Sequence, residues 1–289
     1  MEKTLRIAIQ KSGRLSEKSL DIIKNCGIDF GCDSRVLRER SSNFPIEFLY
    51  VRDDDIPVYV SSGVADVGIV GRNEADESGL PLEVARDLKF AACRLSVAVP
   101  AAMEYKGLES LEGKKIATSY PRILSSVLEK RGVKAEPVVV SGSVEVTVQI
   151  GVADAICDLV STGTTLKMNG LVEAEPIYRS TAVMVTRPGF MDEEKEKAEI
   201  LRRLLERMDA AMLAKNKKYV LFNLPSDRLD QAAAIIGGMK SPTVTPLMDK
   251  DWVSVQSVVS EDRFWSVFED LRKIGAEGIL VMDIEKMTE

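Results

Sequence analysis

The chain has 289 residues, 45% of them hydrophobic and 29% charged, with a net charge of −6 and no histidine. That composition supports sizeable cores and excludes disordered and fibrous classes, and its acidic balance excludes the basic field of a nucleic-acid binder. Without histidine there is no Ser-His or Cys-His nucleophile and no His-ligated metal, so chemistry falls to carboxylates, Lys, Arg, Tyr, backbone dipoles or an oxygen-held metal.

Strand and helix patterns alternate over about the first 180 residues, the mark of an α/β fold. Leu5–Ile9 reads as a strand. Ser16 is expected to cap a helix carrying Leu20, Ile23 and Cys26 on one face and stopped by Gly27. Ile46–Val51 is a strand, Asp53 caps a short helix, and Asp66–Val70 is the next strand. Arg94–Val99 opens a second lobe. Lys115–Thr118 follows as a strand, and Pro121 starts a helix that ends at Gly132, since its missing N–H is harmless in a first turn. Val138–Val140 is a strand and Ser141-Gly142-Ser143 introduces another helix. Val172–Tyr178 and Ala182–Thr186 carry the chain back to the first lobe. Asp192–Lys215 reads as one long amphipathic helix with its apolar stripe at Leu201, Leu204, Leu205, Met208 and Met212. The remainder reads β-α-β-β-α-β: Tyr219–Leu224, Asp227–Ile236, Thr243–Leu247, Trp252–Val259, Asp262–Ile274 and Gly278–Ile284. That order is ferredoxin-like and carries no phosphate loop. No run of about 18 apolar residues occurs, so no membrane partner and a cytoplasmic location are expected. The cysteines Cys26, Cys32, Cys93 and Cys157 make no CxxC pair and no zinc spacing. Cys93 and Cys157 read as small core residues, and a Cys26–Cys32 bond is not the default inside a cell.

Two features point to function. The segment Asp154 to Leu166 passes from the apolar strand Ala155–Cys157 through Asp158 into Ser161-Thr162-Gly163-Thr164-Thr165, a loop of small hydroxyl residues before a helix. Free N–H groups, hydroxyls and a positive helix end suit a phosphate monoester, and Gly163 lets the backbone approach it. The preceding acids suit sugar hydroxyls or a metal, so the segment suggests a ribose 5-phosphate site; a plain helix cap is the alternative. In addition, Gly63-Val64-Ala65-Asp66 recurs as Gly151-Val152-Ala153-Asp154, each copy leading into an apolar strand that ends in polar, glycine-bearing sequence, Gly71-Arg72-Asn73 in the first. Two βα lobes facing each other across a cleft are the expected arrangement.

The chain resembles long-form ATP phosphoribosyltransferase, the first enzyme of histidine biosynthesis. The resemblance is carried by Gln10–Leu15, Val51–Ile56, Ile116–Pro121, Gly142–Val146, Asp154–Leu166, Ser241-Pro242-Thr243 and Gly275-Ala276, in family order along nearly the whole chain. It implies two periplasmic-binding-protein-like (type II) lobes plus a ferredoxin-like (ACT-like) regulatory domain. The expected division is lobe I over 1–92, completed by 182–211, lobe II over 93–181, and the regulatory domain over 212–289. The implied reaction transfers the 5-phosphoribosyl group of phosphoribosyl pyrophosphate to N1 of ATP with Mg²⁺, which is carried through substrate phosphates with protein ligands left open. Ser161–Thr165 would seat the 5-phosphate, and Asp154 and Asp158 the ribose hydroxyls. By charge, Lys11, Arg14 and Arg52 suit the polyphosphates; Lys11 and Arg52 with Glu145 are the expected catalytic residues, and Arg14, Asp53, Arg72 and Tyr120 are expected near ATP or its polyphosphate. Tyr120 and Glu145 border the second lobe's loops, toward base, sugar or metal. The resemblance also implies inhibition by histidine at Asn223, Met239, Thr243 and Gly278, and dimers passing to hexamers. Asn223 departs from relatives that carry a charged residue there. Transfer to another base, or a small-anion binding protein on the same lobes, are the competing readings.

Overall fold

The computed structural model describes residues 3–31, 36–161, 163–237 and 241–288. They form two compact units, Met1–Asp21 with Ile28–Leu201 and Ile22–Gly27 with Arg202–Glu289.

The first unit begins with β1 (Leu5–Gln10), α1 (Arg14–Asn25), β2 (Arg38–Arg40), β3 (Ile46–Val51), α2 (Ile56–Ser61), β4 (Val67–Gly71), α3 (Arg72–Ser78) and β5 (Glu83–Asp87). The chain then crosses to β6 (Cys93–Pro100), β7 (Lys115–Thr118), α4 (Pro121–Arg131), β8 (Glu136–Val139), α5 (Val146–Gln149), β9 (Ala155–Val160), α6 (Thr164–Met168) and β10 (Leu171–Ser180). It returns through Thr181 to β11 (Ala182–Thr186), followed by α7 (Phe190–Glu193) and α8 (Lys195–Ala214). The two sheets have orders β2-β3-β1-β4-β11-β5 and β10-β6-β9-β7-β8. Apart from the edge strand β2, they share one plan. Three parallel strands (β3-β1-β4, β8-β7-β9) meet an antiparallel strand next to the crossing (β11, β6), and a fifth strand (β5, β10) closes the edge. These are the two type II lobes. Their parallel strands are buried and read as apolar runs: Leu5, Ile7 and Ile9 in one, Ala155, Ile156 and Cys157 in the other, all without exposure.

The internal repeat occupies equivalent places in both lobes. Gly63 and Gly151 take left-handed turns at φ 75°, a conformation glycine adopts without strain. Asp66 and Asp154 then start β4 and β9 with the same bond pattern. Asp66 Oδ2 accepts the Arg6 N–H at 2.8 Å, and Asp154 Oδ2 accepts the Lys115 N–H at 2.8 Å. Each aspartate's own N–H donates to the carbonyl of that same neighbour at 2.9 Å. The repeat therefore ties the beginnings of adjacent parallel strands.

The second unit contains β12 (Lys217–Pro225), α9 (Leu229–Ile236), β13 (Thr243–Pro246), β14 (Trp252–Ser260), α10 (Glu261–Lys273) and β15 (Glu277–Asp283). Its antiparallel sheet has order β13-β14-β12-β15, the ferredoxin-like arrangement. Val220, Phe222 and Leu224 of β12 bury with Val253 and Val255 against Ala232, Ile236, Val267 and Leu271 of the helices.

Several local expectations change. The first helix begins at Arg14, so Ser16 is a buried residue inside it and not its cap. Asp55, not Asp53, precedes the short helix, and it makes no side-chain cap. The segment after Val140 turns at Ser143 (φ 49°), and the helix waits until Val146. The long connector helix is broken at Glu194, where Arg187 pairs with Glu193 and Glu194 at the end of α7. Cys26 and Cys157 are buried free thiols and Cys93 is half-buried; Cys32 lies outside the described residues.

Candidate functional site

The site residues lie where parallel strands end, because strand ends in such sheets open into loops not needed for the core. In lobe I, Lys11 follows β1 and Arg52 follows β3, and the Lys11 N–H donates to the Val51 carbonyl at 2.8 Å. Both side chains are exposed and line a pocket of about 570 Å³ with Gln10, Ser12, Asp53, Asp55 and Tyr59. Arg52 Nε pairs with Asp54 at 3.3 Å; with both side chains more than half exposed, a bond of this kind is weak enough to yield to an incoming phosphate. Asp53 is held by Gln10 Nε2, which donates to its Oδ2 at 3.2 Å. Arg14, the first residue of α1, is exposed, as is Arg72, the first residue of α3.

In lobe II, β9 runs on through Asp158 and Leu159 to Val160, further than the apolar run Ala155–Cys157 indicated. Asp158 is thus a strand residue near the loop. Its Oδ1 accepts the Leu159 N–H at 2.7 Å. Burial nevertheless pushes the carboxyl up to about 6, against that bond and helped by the charge of Glu145, which precedes α5. The loop follows at Ser161. Gly163, at φ 74°, leads into α6 with Thr164 and Thr165, both exposed; Thr162 lies outside the described residues. Ser161 does not cap α6, because Gly163 holds that position without a side-chain bond. The loop has an anchor that sequence reading missed. Arg94, paired with Glu173, donates from Nη1 to the Ser161 carbonyl at 3.2 Å.

Asp154 stands apart from the loop residues, at the opposite end of β9, about 20 Å away for a six-residue strand. Its Oδ2 accepts the Lys115 N–H.

Tyr120, expected to face a ligand, is buried and joins the lobes. Its hydroxyl donates to Glu74 Oε1 at 2.6 Å and accepts from Asn73 Nδ2 at 3.2 Å. Asn73 also donates to Glu74 Oε1, at 2.9 Å, and bonds Ser180. Nearby, Glu77 accepts the N–H groups of Arg122 and Ile123 at 2.8 and 2.9 Å. Those are the first free donors of α4, since Pro121 has none, so a lobe I carboxylate caps a lobe II helix. Tyr178 adds a hydrogen bond to Asp76. Burial and the Glu74 carboxylate push the Tyr120 hydroxyl well above its ordinary value, with Asp158 contributing. Burial likewise raises Glu74, with Asp53, Asp54 and Glu77 adding to the rise and the Tyr120 bond opposing it. Charges of both lobes, Asp53 and Asp54 from lobe I and Asp158 from lobe II, thus act on this bonded pair. Sequence reading passed over Glu74, Asp76 and Glu77 and took Asn73 only as part of a polar strand end; their one signal is a polar helix start with Glu74 and Glu77 three apart.

In the second unit, Asn223 and Gly278 are neighbours: a Cβ on Gly278 would lie 3.6 Å from Asn223 Nδ2, and Gly278 takes φ 58°. Thr243 pairs with Gln256, itself opposite Leu221, so it stands two strands from β12, about 10 Å. Met239 lies outside the described residues.

The family model for HisG, ATP phosphoribosyltransferase, matches residues 52–210, and that for the HisG C-terminal domain matches residues 214–286. An ATP phosphoribosyltransferase of Cytophaga hutchinsonii is 50% identical over 287 residues, 99% of each chain. One of Bacteroides fragilis is 51% identical over 283 residues, covering 98% of this chain and 99% of that one. Among solved structures, an ATP phosphoribosyl transferase (HisG:HisZ) complex from Thermotoga maritima aligns with TM-score 0.60 and 28% identity, over 71% of this chain and 99% of that one.

Proposed function

The chain belongs to the ATP phosphoribosyltransferase family, the transferases of histidine biosynthesis, and from that premise we propose that it joins N1 of the ATP adenine to the anomeric carbon of phosphoribosyl pyrophosphate, releasing pyrophosphate. The observation that carries the reading is the half-buried Asp158 placed directly before the Ser161–Thr165 loop, with the Lys11–Arg52 pocket in the facing lobe. In this assignment the loop hydroxyls and N–H groups, Thr162 included, bind the 5-phosphate. Asp158 accepts the ribose hydroxyls, and Glu145 borders the same sugar. Lys11, Arg52 and Arg14 meet the polyphosphates, and Arg72 stands at the lobe junction. Lobe I is assigned residues 1–92 with about 182–211, lobe II 93–181, and the regulatory domain 212–289.

Transfer needs little proton chemistry. The N1 lone pair becomes the N1–C1 bond while the C1–O bond breaks, its electron pair leaving with pyrophosphate. Positive charge develops on the sugar and then on adenine, negative charge on the leaving group. Lys11 and Arg52 stabilise the latter, and Asp158 faces the former. Among the described residues no three carboxylates or thiols converge on a metal position. Magnesium, which holds water and phosphate readily, would be carried by the diphosphate with Asp53 and Asp55 of the same pocket available to it, neutralising leaving-group charge.

A panel of ATP, a pyrimidine base and quinolinate, each with phosphoribosyl pyrophosphate, tests the acceptor; pyrophosphate release is expected with ATP alone, and release with another base instead would replace this reading. Lys11→Ala should lower kcat about 100-fold while changing either KM much less, because its charge meets the departing pyrophosphate most strongly in the transition state. A loss confined to KM would reassign it to ground-state binding.

Inhibition by histidine is placed on the second unit. Asn223, Gly278 and Thr243 are assigned to the proposed pocket, and Met239 is included from the resemblance. The separation of Thr243 from β12 supports a ligand held between subunits, in keeping with dimers that pass to hexamers. Thr243→Ala should relieve histidine inhibition and spare uninhibited activity. Histidine titration alongside sedimentation checks it; full inhibition of the variant, or inhibition without a change in assembly, would reject this coupling.

A further inference from the structure

We propose that Glu74 reads the 6-amino group of adenine and steadies the positive charge the ring acquires as N1 bonds to the sugar; this rests on the transfer reaction proposed above. Glu74 is half-buried at the start of α3, where lobe I meets lobe II. One carboxylate oxygen, Oε1, is fixed by Tyr120 and Asn73 at 2.6 and 2.9 Å. Among the described residues the other, Oε2, accepts no hydrogen bond, and it is not among the buried side-chain atoms without a partner. The carboxylate is therefore oriented by one oxygen and open at the other.

Its surroundings decide what it can meet. On one side it feels the charges of Asp53, which lines the lobe I pocket, and of Asp54; on the other, its partner Tyr120 feels Asp158. Three kinds of group must pack here: phosphates, ribose hydroxyls and the base. A phosphate is repelled by a carboxylate, and the transferred ribose is already matched by Asp158. The adenine amino group is a neutral donor and becomes a stronger one as N1 is alkylated, since the positive charge spreads over N1 and N6. A fixed carboxylate accepting from N6 both orients the ring and strengthens its hold in the transition state. No proton need move: N1 gains the bond to carbon, pyrophosphate leaves with its electron pair, and both N6 protons stay on nitrogen. The raised pKa of Glu74, caused first by burial, fits a carboxylate held in a poorly solvated place with an unfilled bond.

The test compares wild type with Glu74→Gln, which keeps shape and can still accept from Tyr120. With ATP, kcat should fall about 10- to 100-fold, the loss expected for a charged hydrogen bond. Inosine triphosphate carries a carbonyl at position 6, so as a competitive inhibitor it should bind the variant more tightly than wild type, because the new amide can donate to it. Unchanged ATP turnover, or inosine triphosphate binding that stays level or weakens, overturns the proposal. So does a raised magnesium requirement with unchanged base discrimination, which would make Glu74 a metal ligand. Should the variant not fold, N6,N6-dimethyl-ATP with wild type decides: it should bind about tenfold or more weaker than ATP, and equal binding rejects the role. Wild type that does not convert ATP at all sinks the transfer reading; active wild type with an unaffected variant sinks only Glu74.

Discussion

Asp158→Asn is expected to cripple transfer and yet stabilise the ligand-free protein. Asp158 accepts the Leu159 N–H at 2.7 Å, but burial outweighs that bond and lifts its carboxyl from 3.8 to about 6. The folded state thus favours the protonated form more than the unfolded chain does. Stability from this group is greatest below about pH 4, falls as pH rises towards about 6, and stays reduced above it. A shift of that size corresponds to about 3 kcal/mol as an upper figure. Asparagine removes the penalty, so the variant should melt higher than wild type at pH 7.5, with the difference closing towards pH 4. Meanwhile the loss of a charged acceptor for the ribose hydroxyls should lower kcat/KM for phosphoribosyl pyrophosphate about 100-fold. The same ionisation predicts an acid limb near pH 6 in that parameter for wild type. Thermal melts over pH and steady-state kinetics check both halves. A destabilised variant at pH 7.5, or one with wild-type kcat/KM, would remove Asp158 from the site.

Glu77→Ala should loosen the junction of the two lobes. Its carboxylate closes the first turn of α4 across the lobe boundary, and alanine leaves the N–H groups of Arg122 and Ile123 without that partner. Loss of a charged cap costs about 2 kcal/mol. Beyond stability, both substrates should bind more weakly, because Glu74 on α3 and Tyr120 immediately before α4 lose their common register. Glu77→Gln should recover part of both, since the amide oxygen still caps one donor. Melting temperature and the two KM values measure this. A stability loss without any change in KM would make Glu77 a local cap alone.

How much of this was legible depended on burial. Ile46–Val51, Lys115–Thr118 and Ala182–Thr186 emerged as written, because strands buried on both faces are continuous apolar runs. Arg38–Arg40 and Glu83–Asp87 did not, since edge strands are short and charged and carry no alternation. The helix Arg72–Ser78 escaped for a related reason: the residues it buries are Asn73 and Ala75, so it has no apolar stripe. The repeat at Gly63 and Gly151 pointed correctly to two lobes, but its aspartates bond to backbone across parallel strands, which one-dimensional spacing does not reveal. Asp158 and the loop after it stood out because an acid, hydroxyls and a glycine follow one another within a few residues. The Asn73–Glu74–Tyr120–Ser180 contacts were not, because they join residues about 50 to 100 positions apart through the topology.

The central claim is that a carbon–nitrogen bond forms between C1 of the pentose and N1 of adenine. ATP labelled with ¹⁵N at N1 and phosphoribosyl pyrophosphate labelled with ¹³C at C1, incubated with the protein and Mg²⁺, test it in one spectrum. The account predicts a one-bond ¹³C–¹⁵N coupling that grows in step with released pyrophosphate. Pyrophosphate release without that coupling, or no reaction of the folded protein with these two substrates, would contradict it.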